Sequence, residues 1–272
     1  MATEAKPAQR AMISDDDLAD IKGSDSIELK LTIPENDQLA TARKLGIDPL
    51  NAQIRQVFFF DTPDLTLNKA GVVVRARRSQ GRDDDSTVKL RPVVPSSLSS
   101  KLRKMDTFKV EVDAMPGGHV CSGSLSSIMK PTAVRSVHLG DRSISKLFSP
   151  EQIAYYKEHA PAGIDLDDLT LLGPIIVFKL KSIPAGFNQK LTTEMWMYPD
   201  NTRVLELSTK TIPGNGFQLA MELRNLLYER GIHGSEEPTT KTSKALSFFS
   251  EKARQAAKES AKASAEDRDA SA

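Results

Sequence analysis

GVVVRARR (71–78) is an extended run in which Val72, Val74 and Ala76 take one side while Arg75 and Arg77 take the other. Side chains alternate faces along a strand, so this run is apolar on one face and cationic on the opposite one. The same arrangement recurs along the chain. Lys89 and Arg91 stand two apart in TVKLR (87–91), and Lys109, Glu111 and Asp113 alternate in FKVEVD (108–113). Lys179 and Lys181 do so in VFKLK (177–181), and Glu206, Ser208 and Lys210 in VLELSTK (204–210). Ser26, Glu28 and Lys30 open the series in SIELKL (26–31). An ordinary half-buried strand scatters mixed polar residues toward water. Both charge signs keep returning on long β-runs in every part of the chain, which fits a barrel whose interior is charged and whose exterior packs on helices.

Working outward, about eight β-like runs are expected, near 26–33, 54–61, 71–79, 86–92, 107–114, 174–182, 190–199 and 202–209. Pro199-Asp200-Asn201 supplies a hairpin turn between the last two. Helices are expected over Glu35 to Leu45, stopping at Gly46, and from Thr62-Pro63 with Thr62 as the cap. Others are expected from Ser149-Pro150 to His159, over the amphipathic Gln218 to Arg230, and from near Thr242 with Ala245, Leu246 and Phe249 on one face. Residues 115–170 read as a mainly helical and loop insertion. The fold class is therefore α+β: an eight-stranded antiparallel closed β-barrel surrounded by helices. The domain is expected over 23–250, after a polar, flexible arm (1–22) and before a charged, Ala-rich tail (251–272) that frays into disorder.

Composition narrows the function. The 37 Lys and Arg nearly balance 36 Asp and Glu, which argues against a general polyanion binder of the duplex nucleic-acid type but permits a compact basic site. The single cysteine, Cys121, excludes an intrachain disulfide and suits a reducing, cytoplasmic compartment. No apolar run is long enough to span a membrane, and the first ten residues lack a signal-peptide core. His119, His138, His159 and His233 show no metal-ligand spacing, and no phosphate-binding glycine loop of the two familiar kinds is present. Gly214-Asn215-Gly216 reads as a simple turn, Cys121 as a structural thiol, and Trp196 as a packing residue beside Glu194 and Tyr198.

Each basic pair on its own reads as a solvated sheet face; pointing inward, it needs acids, water or an anionic ligand. Glu28, Glu111, Asp113, Glu194 and Glu206 lie inside strands, where acids are disfavoured. They suit Mg²⁺ or Mn²⁺, or salt bridges to the basic residues.

Taken together, the block FFFDTPDLTLNKAGVVVRARR (58–78), TVKLRP (87–92), FKVEVD, LLGPIIVFKLKS (171–182), TTEMWMYPDNTRVLELSTK (192–210) and the late Lys241-Thr-Ser-Lys244 resemble a CYTH domain. That family is also called the triphosphate tunnel metalloenzymes. The likeness covers about residues 26 to 250. It departs from the family's ExExK signature at Ser26, keeps Glu28 and Lys30, carries Asp113 where glutamate is usual, and has Ser208 where a second acid is often found. The resemblance implies a tunnel that binds a small phosphorylated substrate, with Mg²⁺ or Mn²⁺ as cofactor. On this reading Arg75, Arg77, Lys89, Arg91, Lys109, Lys179, Lys181 and Arg203 contact the phosphates. Glu28, Glu111, Asp113, Glu194 and Glu206 hold metal, and Glu28, Lys30 and Lys210 serve catalysis. Arg203 is out of phase with Glu206 unless a bulge intervenes. The implied activity is metal-dependent hydrolysis of inorganic or small organic triphosphate. The alternatives are cyclisation of ATP and, given Ser26, binding of a phosphate ligand or polyphosphate without turnover. The oligomeric state, monomer or homodimer, is left open.

Overall fold

Phe58, Phe59 and Phe60 are consecutive and all buried, so both faces of their strand are covered. The computed structural model, which describes residues 21–235, 241–252, 254 and 255, shows how. Nine strands form the barrel: β1 (Ser26–Ile33), β2 (Gln53–Asp61), β3 (Val72–Ser79), β4 (Asp84–Leu90), β5 (Phe108–Met115), β6 (Gly118–Met129), β7 (Thr170–Ser182), β8 (Leu191–Met197) and β9 (Arg203–Thr211). They close in the order β1-β5-β6-β4-β3-β2-β7-β8-β9. Closure removes the unpaired edges that an open sheet would expose.

Two expectations are corrected. The strands number nine, because β6 lies within the stretch expected to be helical and loop. Its sequence GHVCSGSLSSIM hides the alternation: Cys121, Gly123 and Leu125 oppose Ser122, Ser124 and Ser126, and serine carries neither a charge nor an apolar signal. The sheet is also mixed, since β1 runs parallel to β5 while every other neighbouring pair is antiparallel.

Among the described residues, the helices that dress the barrel include α1 (Gln38–Lys44), α2 (Thr66–Lys69), α3 (Ser100–Arg103), α4 (Ala133–His138), α5 (Pro150–His159) and α6 (Gly216–Glu229). The outward faces of β3, β4 and β5 (Val74, Ala76, Val88, Val110, Val112) pack on Val134 and Val137 of α4 and on Tyr155 and Tyr156 of α5. Ser149 and Gln152 make the capping box of α5. Gln152 also anchors the helix to the wall: its Nε2 donates to the carbonyls of Ser86 (3.2 Å) and Leu125 (3.0 Å), and its Oε1 accepts from Ser86 Oγ (3.0 Å). On the other side, Leu205 and Leu207 of β9 bury against Leu219, Leu223, Leu226 and Leu227 of α6. In α1 the buried residues are Gln38 and Thr41, whereas Leu39 is exposed.

The helix expected from Thr62-Pro63 starts later, at Thr66, because Asp61 organises the preceding turn. Buried Asp61 accepts from the backbone N–H of Thr62 (2.7 Å), Leu67 (2.9 Å) and Asn68 (3.0 Å). Replacing it by alanine orphans these donors, at least one of them buried. Asp61→Ala is expected to cost about 2–3 kcal/mol in urea denaturation, while a loss under 0.5 kcal/mol would contradict this role. Gly71 ends the turn at φ +76, and a Cβ there would meet the Arg91 carbonyl oxygen at 2.7 Å, so only glycine fits.

The last described helical segment, 241–252, carries Ala245, Leu246 and Phe249 as expected. These join Val57, Phe59, Ile175, Val177, Trp196 and Val204 in one apolar cluster. Val57 and Phe59 share the face of β2 that pairs with Arg77 and Arg75, the lumen face. The segment therefore seals one end of the barrel and covers the second face of the phenylalanine run. Residues 21 and 22, expected in the arm, are helical together with residue 23. The rest of the expected arm (1–20) and nearly all of the charged tail lie outside the described residues. Among the described residues no helix is long and apolar enough to cross a membrane.

Candidate functional site

Strand register assembles the lumen in rows. Arg75 of β3 lies opposite Thr87, and Arg77 opposite Asp85. Lys89 lies opposite Ser124, which also faces Lys109. Glu28 is the partner of both Asp113 and Lys210. Lys179 pairs with Glu194, and Glu194 with Glu206. Residues far apart in sequence thus converge on one cavity of about 770 Å³.

Of the expected site residues, Glu28, Lys30, Arg75, Arg77, Lys89, Arg91, Lys109, Glu111, Asp113, Lys179, Glu194 and Lys210 line this cavity. Glu206 sits just behind its wall, in contact with a lining lysine. Two expected residues do not converge: Lys181 and Arg203 are exposed and outside the lining. Lys181 falls near the end of β7, beyond the cavity, and Arg203 has the outward parity that its spacing to Glu206 predicts. Arg55 and Lys241 also line the cavity and escaped the sequence reading. Arg55 is a single cation in QIRQV, with no second charge to mark the face. Lys241 lies outside every strand, and only its place in the late Lys-Thr-Ser-Lys stretch hinted at it. Trp196 is both packed and functional in placement, since it belongs to the apolar floor and lines the cavity.

Acids and bases inside are arranged unequally. Asp113, almost fully buried, is the hub: Lys30 Nζ lies 2.7 Å from its Oδ1, and Arg91 and Lys89 lie 3.3 and 3.6 Å from its Oδ2. Burial alone would raise its carboxyl, but those three cations outweigh it and hold Asp113 far below the usual carboxylate range. Burial works against the Lys30 ammonium, yet Asp113 and Glu28 (3.2 Å) more than compensate and raise it. Glu28 itself is lowered: burial opposes its charge, and Lys30 and Lys210 overcome that. Glu194 is held well below its ordinary value against burial by Lys241 and Lys179, whose Nζ lies 2.6 Å away. Lys210 is paired with Glu111.

Arg75 is the exception. Its Nε is buried, and the N–H finds no acceptor among the described residues. Burial first, then neighbouring Arg77, push its guanidinium down to about 10, which still leaves it a cation at neutral pH. Burial likewise lowers Lys89, although Asp113 is near. Ten cationic and five acidic side chains line the cavity, and two further acids reach lining cations from beside it, Asp85 at 2.8 Å from Arg77 and Glu206 at 2.6 Å from Lys241, so a smaller net positive charge remains.

No protein-family model and no curated protein matches the chain in sequence. Solved structures do match its fold. One is HpAC1 from Hippeastrum, a candidate adenylyl cyclase described as having a dominant triphosphatase activity. It aligns with a TM-score of 0.58 and 16% identity, over 79% of this chain and 92% of its own. Another is a candidate adenylate cyclase from Bacillus halodurans, with a TM-score of 0.57 and 13% identity, over 81% of this chain and 97% of its own. The chain shares the closed-barrel fold of these proteins, which is consistent with the CYTH resemblance of its sequence.

CYTH resemblance implies a divalent ion, and the donor set can be judged against one. Among the described residues no three His, Cys, Asp or Glu side chains converge to hold a metal. What the tunnel offers is carboxylate pairs: Glu28 with Asp113, and Glu194 with Glu206. Mg²⁺ is commonly held by one or two carboxylates together with substrate phosphate oxygens and water. Such pairs fit an ion completed by ligands from outside the protein better than one caged by protein alone. Ser26 lies opposite Glu111 and Ser208 opposite Lys30, so neither place where the signature carries acid adds a donor charge here.

Proposed function

We propose that the tunnel binds a triphosphate and hydrolyses it, with Mg²⁺ or Mn²⁺ shared between the substrate and a carboxylate pair. The observation that carries this reading is Arg75, whose buried Nε has no hydrogen-bond partner, on the wall of a cavity with excess positive charge. An unpaired buried charge is costly unless a ligand completes it. A linear triphosphate carries about four negative charges, close to what the lumen leaves unbalanced. HpAC1, which shares the fold, supports the choice of triphosphate over other polyanions.

In this proposal Arg75, Arg77 and Arg55 offer planar forks to phosphate oxygens, while Lys89, Lys109 and Arg91 add charge further along the wall. The Glu28–Asp113 and Glu194–Glu206 pairs would hold the ion, which when bound neutralises phosphate charge and acidifies a coordinated water. Lys30 stays protonated because Asp113 and Glu28 surround it, and so acts as fixed positive charge near a leaving phosphate. The closed floor at Val57, Phe59 and Trp196 excludes bulk water from one end of the anion. Soluble behaviour in a reducing, cytoplasmic setting belongs to the same proposal.

Purified protein is expected to release orthophosphate from tripolyphosphate when Mg²⁺ or Mn²⁺ is supplied. A specific observation favours a second reading, binding without turnover: the acids present are already closed by lysines, and Ser26 and Ser208 add none. Calorimetric binding of tripolyphosphate with no phosphate release at any metal or pH would reject the hydrolase and keep the binder. Pyrophosphate and cyclic AMP from ATP would instead identify a cyclase.

A further inference from the structure

Lys241 belongs to no strand, yet its ammonium sits between the two carboxylates of the Glu194–Glu206 pair. Its Nζ lies 2.6 Å from Glu206 Oε1 and contacts Glu194 Oε2. The same ammonium lies 5.2 Å from the centre of the Trp196 ring, whose Nε1 donates to Glu194 Oε2 at 3.2 Å. The backbone is fixed as well, because Tyr198 Oη donates to the Lys241 carbonyl at 3.0 Å. Lys241 begins the helical segment that seals the floor through Ala245, Leu246 and Phe249. Ser250 Oγ in that segment donates to the Pro63 carbonyl at 2.6 Å. The lysine is thus a cation delivered to an acid pair by a helical segment outside the barrel strands.

We infer that Lys241 is the resident occupant of the Glu194–Glu206 pair, and that a divalent ion takes this pair only by displacing it. This rests on the proposed triphosphate tunnel and adds a regulation of that site. Two like carboxylates facing each other on neighbouring strands repel and need a cation between them. An ammonium and a divalent ion are alternative solutions, because both cannot stand between the same two oxygens. Metal loading at this pair is therefore coupled to loss of the contacts that hold the start of segment 241–252. Lys179 stays on Glu194 Oε1 in either state, so one acid remains partly neutralised and metal affinity stays modest without phosphate.

The chain has one tryptophan, and it lies under the lysine, so it reports the exchange directly. Mn²⁺ binding to the full chain without phosphate is measured by electron paramagnetic resonance, with Trp196 emission followed in parallel. Lys241→Gln is expected to bind Mn²⁺ about tenfold to a hundredfold more tightly than wild type, and adding Glu206→Gln is expected to remove that gain. Equal Mn²⁺ affinity in wild type and Lys241→Gln would overturn the inference. Hydrogen exchange on the unmutated chain tests the coupling without any variant. Saturating Mn²⁺ is expected to speed exchange in 241–252 and shift Trp196 emission, and metal binding that changes neither would also overturn it. Tripolyphosphate titrated in chelator separates the two levels. Anion binding that persists while the metal predictions fail rejects the lysine exchange alone, whereas no anion binding by either protein rejects the tunnel reading itself.

Discussion

Arg75→Met is expected to weaken tripolyphosphate binding on the order of a hundredfold while raising the melting temperature of the empty protein. The two signs come from one fact. Arg75 has a buried, unpartnered Nε, and its charge is disfavoured by burial and by Arg77. In the empty tunnel its charge is a desolvation cost, and methionine fills similar volume without it, so the apo protein gains about 1–3 kcal/mol. With anion bound, the same substitution removes a desolvated charged donor, a loss of about 3 kcal/mol. Arg75→Lys keeps the charge but loses the fork and is expected to fall between the two. Calorimetric titration and thermal melts check both signs. Lower apo stability together with unchanged affinity would mean that Arg75 is an ordinary structural arginine.

The second large effect falls on Asp113. Asp113→Asn leaves Lys30, Lys89 and Arg91 without their shared counter-ion in a buried site. Breaking such a cluster from the acid side is expected to cost about 3–5 kcal/mol, measured as the shift in urea midpoint at neutral pH. The pH dependence has a definite sign. Asp113 titrates lower when folded than when unfolded. Its stabilisation is therefore complete above the unfolded carboxylate value of about 4 and is lost as pH falls from there toward the folded value. Wild type should lose stability steeply below about pH 4, with Glu28 and Glu194 contributing in the same direction. Asp113→Asn should show a shallower acid limb, and a parallel limb would exclude Asp113 as the hub.

Charge parity made the barrel legible in the sequence. Arg75 with Arg77, Glu111 with Asp113, and Glu206 with Lys210 each mark one strand face, and that face is the lumen in every case. Arg203, assigned to the phosphates by resemblance against its parity, lies outside the lining. What parity could not reveal is a strand without charges, which is why β6 escaped: its inward residues are serines and its outward ones include Gly123, where a Cβ would strike Phe108 at 2.8 Å. Nor does alternation carry strand direction, so the parallel contact of β1 with β5 had no local signal. Lone cations such as Arg55, and a residue supplied from a terminal helix such as Lys241, join the site only through tertiary packing. The extent of neutralisation was equally hidden, since pairing depends on register: Glu194 meets Lys179, Glu206 and Lys241 from three separate segments.

The central claim is that a closed lumen with uncompensated positive charge is the place where a triphosphate binds. A crystal of the full chain soaked with tripolyphosphate and Mn²⁺ tests it most directly. Phosphate density inside the 770 Å³ cavity, within hydrogen-bonding distance of Arg75, is the predicted result. Anion found only on the outer surface, with the lumen holding water alone under conditions where the protein binds tripolyphosphate in solution, would contradict the account.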